Sequence, residues 1–327
     1  MTNNEDSLKQ VYNNKRPLFD RTSGNIKEAL SIFLSDNKIP FLTISSRVKD
    51  FDSFFEKIDR KNYTNPFDET EDFCGIRVIL YYLSDIIKVN EIVKKEFDVQ
   101  NNEDKGDKLD VNEFGYRSHH FIVKIKDKWL ESPNYRGLKD VKIEIQVRTV
   151  LMHAWAEIEH KLGYKNKDQV PNELKRKLFL ISAKLEEADN QFQELTTDIG
   201  QYKKILLNKA MKEGSFKSDE FNLDTFQALM DFYFPEHEKH VVGATELFNE
   251  YKKLEIPMQV IVEYAERIKP LSSYLDKKLF GEKSNLKTHQ SNIMSYALQA
   301  FNSKANRDNS SEERKKIIND IEKLASE

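Results

Sequence analysis

The chain has 327 residues, 55 acidic and 52 basic side chains, a formal charge of -3, an apolar fraction of 39% and one cysteine. That length exceeds one ordinary core, so about two domains of roughly 150 residues each are expected. Cys74 cannot form an internal disulfide, and with no signal peptide and no apolar run near about 18 residues the expectation is a soluble cytoplasmic protein, which sets membrane insertion and secretion aside.

A charged fraction of 33% with near-zero balance gives no basic field for general nucleic-acid binding, and 10 glycines and 8 prolines argue for a helix-rich chain. The polar N-terminal stretch fits either a short helix or a loosely ordered arm. Ile26, Ala29, Leu30, Phe33 and Leu34 then recur at helical spacing, and the β-branched run FLTIS after Pro40 predicts a strand. Asp50 is placed to cap an amphipathic helix to about Lys61, with Phe51, Phe54, Phe55 and Ile58 inward. GIRVILYYL predicts a buried strand, and Ser84 or Asp85 caps the helix after it. A charged loop leads to GYRSHHFIVKIK, a strand. VKIEIQVRT alternates strictly, with Val141, Ile143, Ile145 and Val147 against Lys142, Glu144, Gln146 and Arg148, so one face meets a core and the other a cleft. TVLMHAWAEIEHKLGYK follows as a helix.

From Pro171 the apolar positions Leu174, Leu178, Ile181, Leu185, Ala188, Phe192, Leu195, Ile199, Tyr202 and Leu206 alternate spacings of four and three, which predicts a long heptad helix. Further helices are predicted from Asn222 or Asp224 to Pro235 and near 244–255, 258–279, 287–302 and 311–325. The fold class is therefore α/β, a mixed sheet with flanking helices, followed by an all-α C-terminal domain.

Two carboxylates, Asp72 before one strand and Glu144 on the polar face of another, suit a Mg²⁺ bound to nucleotide phosphates; the same residues also suit two solvated strand-end acids. Arg47, Lys49, Lys57, Arg60 and Lys61 surround one strand-to-helix junction and fit a triphosphate clamp or, with interleaved acids, a solvated helix face. No glycine-rich phosphate loop accompanies them. Alternation puts Tyr116, Ser118 and His120 on one face, where Tyr116 either stacks on a nucleobase or is a half-buried strand residue. No HxxxH or CxxC spacing supports zinc.

Read in order, ISSRVKDFDSFFEKIDRKNY, EDFCGIRVILYYLSD, FGYRSHHFIVKI and VKIEIQVRTVLMHAWAEIEHKLGYK resemble the synthetase domain of the RelA/SpoT family. The resemblance implies a nucleotidyltransferase-like fold and transfer of the β,γ-pyrophosphate of ATP to the 3′-hydroxyl of GTP or GDP, making (p)ppGpp. It implies an arm over 1–22, a synthetase domain over 23–168 and a helical domain over 169–327. It also implies that Arg47 and Arg77 sandwich adenine, while Lys49, Ser53 and Lys57 hold donor phosphates. Asp72 matches the magnesium aspartate. Glu144 matches the second acid, which shares the metal and serves as candidate base. Tyr116 would stack on the acceptor guanine, with His120 and Gln146 near the acceptor. A glutamate with an ordinary pKa of about 4.3 is a weak base for a ribose hydroxyl, so metal polarisation must supply part of the activation.

Two departures stand out. The stretch before Gly115 is Val111-Asn112-Glu113-Phe114, without the usual lysine, leaving Lys105 or Lys108 as substitutes. The chain has no His-Asp dipeptide of the family's hydrolase, so it is expected to synthesise and not degrade. Two other functional readings stand beside the first. One is a toxin-like enzyme acting on adenine nucleotides or the tRNA 3′ end, with Lys165, Lys167, Lys175, Arg176 and Lys177 as cationic surface. The other is an interaction protein working through its C-terminal helices, with the 174–206 helix either packed in its own bundle or forming a homo-oligomer.

Overall fold

The computed structural model describes residues 2–104, 118–162, 171–305 and 310–326. They fall into two compact units, Met1–Leu195 and Thr196–Glu327.

The first unit opens with helix α1, Thr2–Asp36, which runs through Pro17. A proline inside a helix removes one hydrogen bond and costs about 3 kcal/mol. Aromatic burial offsets this: Tyr12 and Phe19 are buried, Phe19 stacks on Phe73 with centroids 4.6 Å apart, and Tyr12 lies against Phe51 at 5.6 Å. Residues 1–22 are thus helical where described, and continuous with the predicted 26–34 helix. The buried positions Tyr12, Phe19, Ile26 and Leu30 share one face, diluted in sequence by polar residues between them.

Strands β1 (Phe41–Val48), β2 (Cys74–Leu80), β3 (Phe97–Asp104), β4 (His119–Ile125) and β5 (Ile143–Thr149) form a sheet in the order β1-β2-β5-β4-β3. Only β2 and β5 are paired in parallel; the other neighbours are antiparallel. Cys74, Ile76 and Val78 share a core with Ile143, Ile145, Val147, Phe121 and Val123, covered by α1 and by α4 (Leu83–Glu96). The alternate residues of β2, β4 and β5 point the other way. Helix α2 (Phe51–Lys61) is capped as expected: Asp50 accepts from the Ser53 backbone N–H at 2.8 Å and from its hydroxyl at 3.0 Å. The short helix α3 (Pro66–Glu69) leads into β2. Helix α5 (Val150–Lys161) starts directly after β5, with Thr149 as its cap.

Helix α6, Asn172–Glu213, is the expected long helix. Its buried residues in the first unit are polar. Asp189 is 3% exposed and accepts from the Thr149 hydroxyl at 2.5 Å, and the Gln193 side chain accepts from the Ser84 N–H at 2.8 Å. The heptad positions Leu174, Ile181 and Leu195 are exposed.

The second unit is all-α, as expected, with α7 (Leu223–Tyr233), α8 (Val241–Lys253), α9 (Met258–Ile268), α10 (Ser272–Phe280), α11 (Gln290–Phe301) and α12 (Glu312–Leu324) beside the end of α6. Asn222 caps α7 reciprocally with Thr225 at 2.8 and 2.9 Å. The helix predicted over 258–279 is two helices, because Pro270 interrupts it within a 3-10 turn at Lys269–Leu271. Among the described residues, no helix is long and apolar enough to cross a membrane.

Candidate active site

The outward face of the sheet collects the polar residues of four strands, β1, β2, β5 and β4. Register puts Arg47 of β1 beside Gly75 of β2, and Gly75 beside Glu144 of β5. Strands lie about 4.8 Å apart, so the Arg47 and Glu144 backbones stand roughly 10 Å apart across a residue without a side chain. No side chain stands between them at Gly75. The next row holds Ser45, Arg77, Gln146 and His120, and the one beyond it Ile79 and Arg148.

Each carboxylate is held by a different kind of partner. Asp72 forms ion pairs with the Lys49 ammonium at 3.0 Å and the Lys57 ammonium at 2.9 Å; the side chains of Lys49, Lys57 and Asp72 are 9%, 15% and 22% exposed. Lys49 is fixed through its backbone: its N–H donates to Phe73 at 2.9 Å, and the buried Tyr12 hydroxyl donates to its carbonyl at 2.7 Å. Glu144 is held by an imidazole and an amide, and its charge also acts on the Arg148 guanidinium. His120 Nδ1 lies 3.0 Å from one carboxylate oxygen and Gln146 donates to the other at 2.9 Å, while His120 Nε2 lies 2.8 Å from the Ser118 hydroxyl. With Glu144 ionised, Nδ1–H donates to Glu144, and the Ser118 hydroxyl meets Nε2 as donor or acceptor.

The cations predicted for a donor nucleotide differ in how committed they are. Arg47 is exposed. Arg77 pairs with Glu157 of α5 at 2.9 Å. Ser53 is exposed but already donates to Asp50, and that backbone and side-chain bonding holds the Asp50 carboxyl below its ordinary pKa. Arg148 is largely removed from water, and burial followed by the like charge of Arg77 lowers its guanidinium below the ordinary value. Arg148 Nε and Gln146 Oε1 are buried without a hydrogen-bond partner among the described residues. Unsatisfied polar atoms on one face next to clustered cations are what a bound polar ligand would complete.

The structure thus brings Lys49, Lys57 and Asp72 into one cluster and Ser118, His120, Glu144 and Gln146 into another. Tyr116, Lys105, Lys108 and Val111–Phe114 lie outside the described residues. Sequence reasoning missed Tyr12, whose partner is 37 positions away, and the Glu157 partner of Arg77; neither leaves a local spacing signal. Among the described residues no group of three or more His, Cys, Asp or Glu side chains could hold a metal unaided. Two hard carboxylates completed by phosphate oxygens remain compatible with Mg²⁺, which keeps few protein ligands.

A family model described as "Region found in RelA / SpoT proteins" matches residues 46–169. GTP pyrophosphokinase YjbM of Bacillus subtilis (strain 168) is 30% identical over 183 residues, covering 55% of this chain and 82% of that protein. GTP pyrophosphokinase YwaC of the same organism is 34% identical over 139 residues, covering 41% of this chain and 64% of that protein. Among solved structures, small alarmone synthetase 1 from Bacillus subtilis is 27% identical at a TM-score of 0.48, covering 60% of this chain and 99% of that one.

Proposed function

The chain belongs to the RelA/SpoT family, and from that premise we propose that it is a pyrophosphokinase that transfers the β,γ-pyrophosphate of ATP to the 3′-hydroxyl of GTP or GDP. The observation that carries this reading is the row from Arg47 across Gly75 to Glu144, flanked by the Lys49–Asp72–Lys57 cluster. Arg47 and Arg77 hold adenine between them. Lys49 and Lys57 exchange from Asp72 onto donor phosphates. Asp72 and Glu144 would then hold a divalent metal, Mg²⁺ in this proposal, which when bound would supply charge neutralisation at the phosphates and polarisation of the attacking hydroxyl. Glu144, kept in place by His120 and Gln146, takes the 3′-hydroxyl proton as the ribose oxygen bonds to the β-phosphorus. The bond from that phosphorus to the α,β-bridging oxygen breaks, and AMP leaves. Catalysis of this kind rests on positioning and charge stabilisation. His120 and Gln146 therefore act on the acceptor side by orienting the base.

Purified protein is incubated with β,γ-labelled ATP and, separately, GDP, GTP, AMP or tRNA. Label on the guanine nucleotides supports the proposal; label only on AMP or tRNA replaces the acceptor, and label on none removes the activity. The exposed heptad positions Leu174, Ile181 and Leu195 support self-association through α6. A monomer by light scattering at working concentration would exclude it.

A further inference from the structure

A cavity of about 530 Å³ opens where β2 and β5 begin. Three aromatic rings form its inner wall: Phe19, Phe67 and Phe73, with Phe67 stacked on Phe73 at 5.8 Å. Four lysines from three segments surround it, Lys15 of α1, Lys124 of β4, and Lys139 and Lys142 ahead of β5; Asp68 and Asp140 are the acids among the lining residues.

Three of the lysines meet exposed acids: Lys139 pairs with Asp127 and Lys124 with Asp140, acids that are 77% and 89% exposed, and Lys142 meets the half-exposed Glu71 at 3.4 Å while donating to the Asp68 carbonyl at 3.0 Å. Exposed pairs of this kind hold their ammoniums loosely. Lys15 lies 5.8 Å over the Phe67 ring. A second observation is independent of charge. Thr70 lines the cavity at 2% exposure, its N–H donates to Pro66, and its hydroxyl is buried with no partner among the described residues. A buried hydroxyl in that condition lacks the bond that a ligand atom in the cavity would supply.

We propose that this cavity is a second ligand site, for a small phosphorylated molecule of mononucleotide size, with the phosphate among the lysines and the ligand's body against the aromatic wall and Thr70. The volume lies in the range of small-molecule sites. Thr70 stands two residues before Asp72, and Lys142 two before Glu144. The segments that deliver both carboxylates are therefore also walls of this cavity, and occupancy would steady both.

Lysine acetylation footprinting of the full chain, read residue by residue by mass spectrometry, tests this with AMP and inorganic pyrophosphate as separate probes. Acetylation of Lys15 and Lys142 is expected to slow severalfold in at least one titration. Lys15→Ala, an exposed substitution, should shift the Lys142 protection curve about tenfold toward weaker binding, as expected for one charge-assisted contact. Thr70→Val should weaken protection while leaving Tm unchanged or raised, because no existing hydrogen bond is lost. Protection confined to Lys49 and Lys57 would place the probes only in the catalytic cleft and overturn the proposal. So would a Lys142 curve indifferent to Lys15→Ala, or protection by a single-stranded oligonucleotide but by neither small probe. These readouts need no turnover, so they stand or fall separately from the pyrophosphokinase assay.

Discussion

Replacing Asp72 by asparagine keeps the side-chain shape and removes the charge that Lys49 and Lys57 share. Those ammoniums lie 3.0 and 2.9 Å from the carboxylate, and Lys49 is only 9% exposed. An amide oxygen can accept from one of them, which leaves the other without its counter-charge. Removing one partner of a buried pair costs about 3–5 kcal/mol. The partial exposure of Asp72 and the acceptor that remains reduce this to about 2 kcal/mol. For a unit of this size that is roughly 4–8 °C in Tm. Glu144→Gln is the matched comparison. Its amide oxygen accepts from Gln146 while its NH₂ donates to His120 Nδ1 after a tautomer change, so the loss should stay near about 0.5 kcal/mol. Both variants should lose turnover by about 10²-fold or more. Thermal unfolding followed by circular dichroism, paired with the labelled-ATP assay, separates the two effects. Equal Tm for wild type and both variants would refute the ion-pair reasoning, and near wild-type turnover in either would remove its carboxylate from the mechanism.

His120→Ala should leave KM for ATP close to wild type and lower kcat about 10–100-fold, the usual scale for a group that orients another, and an unchanged kcat would show that Glu144 needs no such support. Burial pushes the Cys74 thiol from 9.0 up to about 12. Below pH 9 both states keep the proton; between 9 and 12 the unfolded chain releases it and the folded chain does not, so stability falls with rising pH by up to about 1.4 kcal/mol per unit. Urea unfolding across that window should show a shallower decline for Cys74→Ala, and parallel curves would refute the assignment. A fragment ending at residue 168 loses the Asp189 and Gln193 partners of Thr149 and Ser84, so it should unfold at a lower temperature than a fragment ending at residue 200; equal midpoints would show that α6 adds nothing to the sheet unit.

Local periodicity made much of the first unit readable. The alternation over 141–148 places Glu144, Gln146 and Arg148 on the face opposite Ile143, Ile145 and Val147, and Asp50 caps α2 as its position suggests. What was not readable depends on partners far apart in the chain. Pro17 and a polar composition disguised α1, whose stability comes from Tyr12 and Phe19 meeting Phe51 and Phe73. The heptads of α6 identify a long helix but not its buried side, because the contacts to Thr149 and Ser84 use Asp189 and Gln193, outside the apolar stripe. At the site, spacing nominated Lys49, Lys57 and Asp72 separately; that they neutralise one another is a property of the β1–α2 junction folding over the start of β2.

The contrast between the two carboxylates follows from what each must do under the proposed reaction. Asp72 is compensated by ammoniums, the groups that a polyphosphate also attracts. Lys49 and Lys57 would therefore be able to turn from Asp72 to donor phosphates, and Asp72 would be left to hold a divalent ion that offsets its charge. Glu144 has a different requirement, because each further cation placed beside a base lowers its affinity for a proton. An imidazole and an amide fix its direction, and neither is the paired ammonium that Asp72 has. Exchanging the two environments should therefore fail even with both acids retained. In Gln146→Lys the carboxylate would gain an ammonium two residues along the same face, and the pH at which kcat reaches half its plateau should move downward as the plateau itself falls. A variant with wild-type kcat and an unmoved pH profile would show that an ammonium added beside Glu144 is without consequence for the reaction.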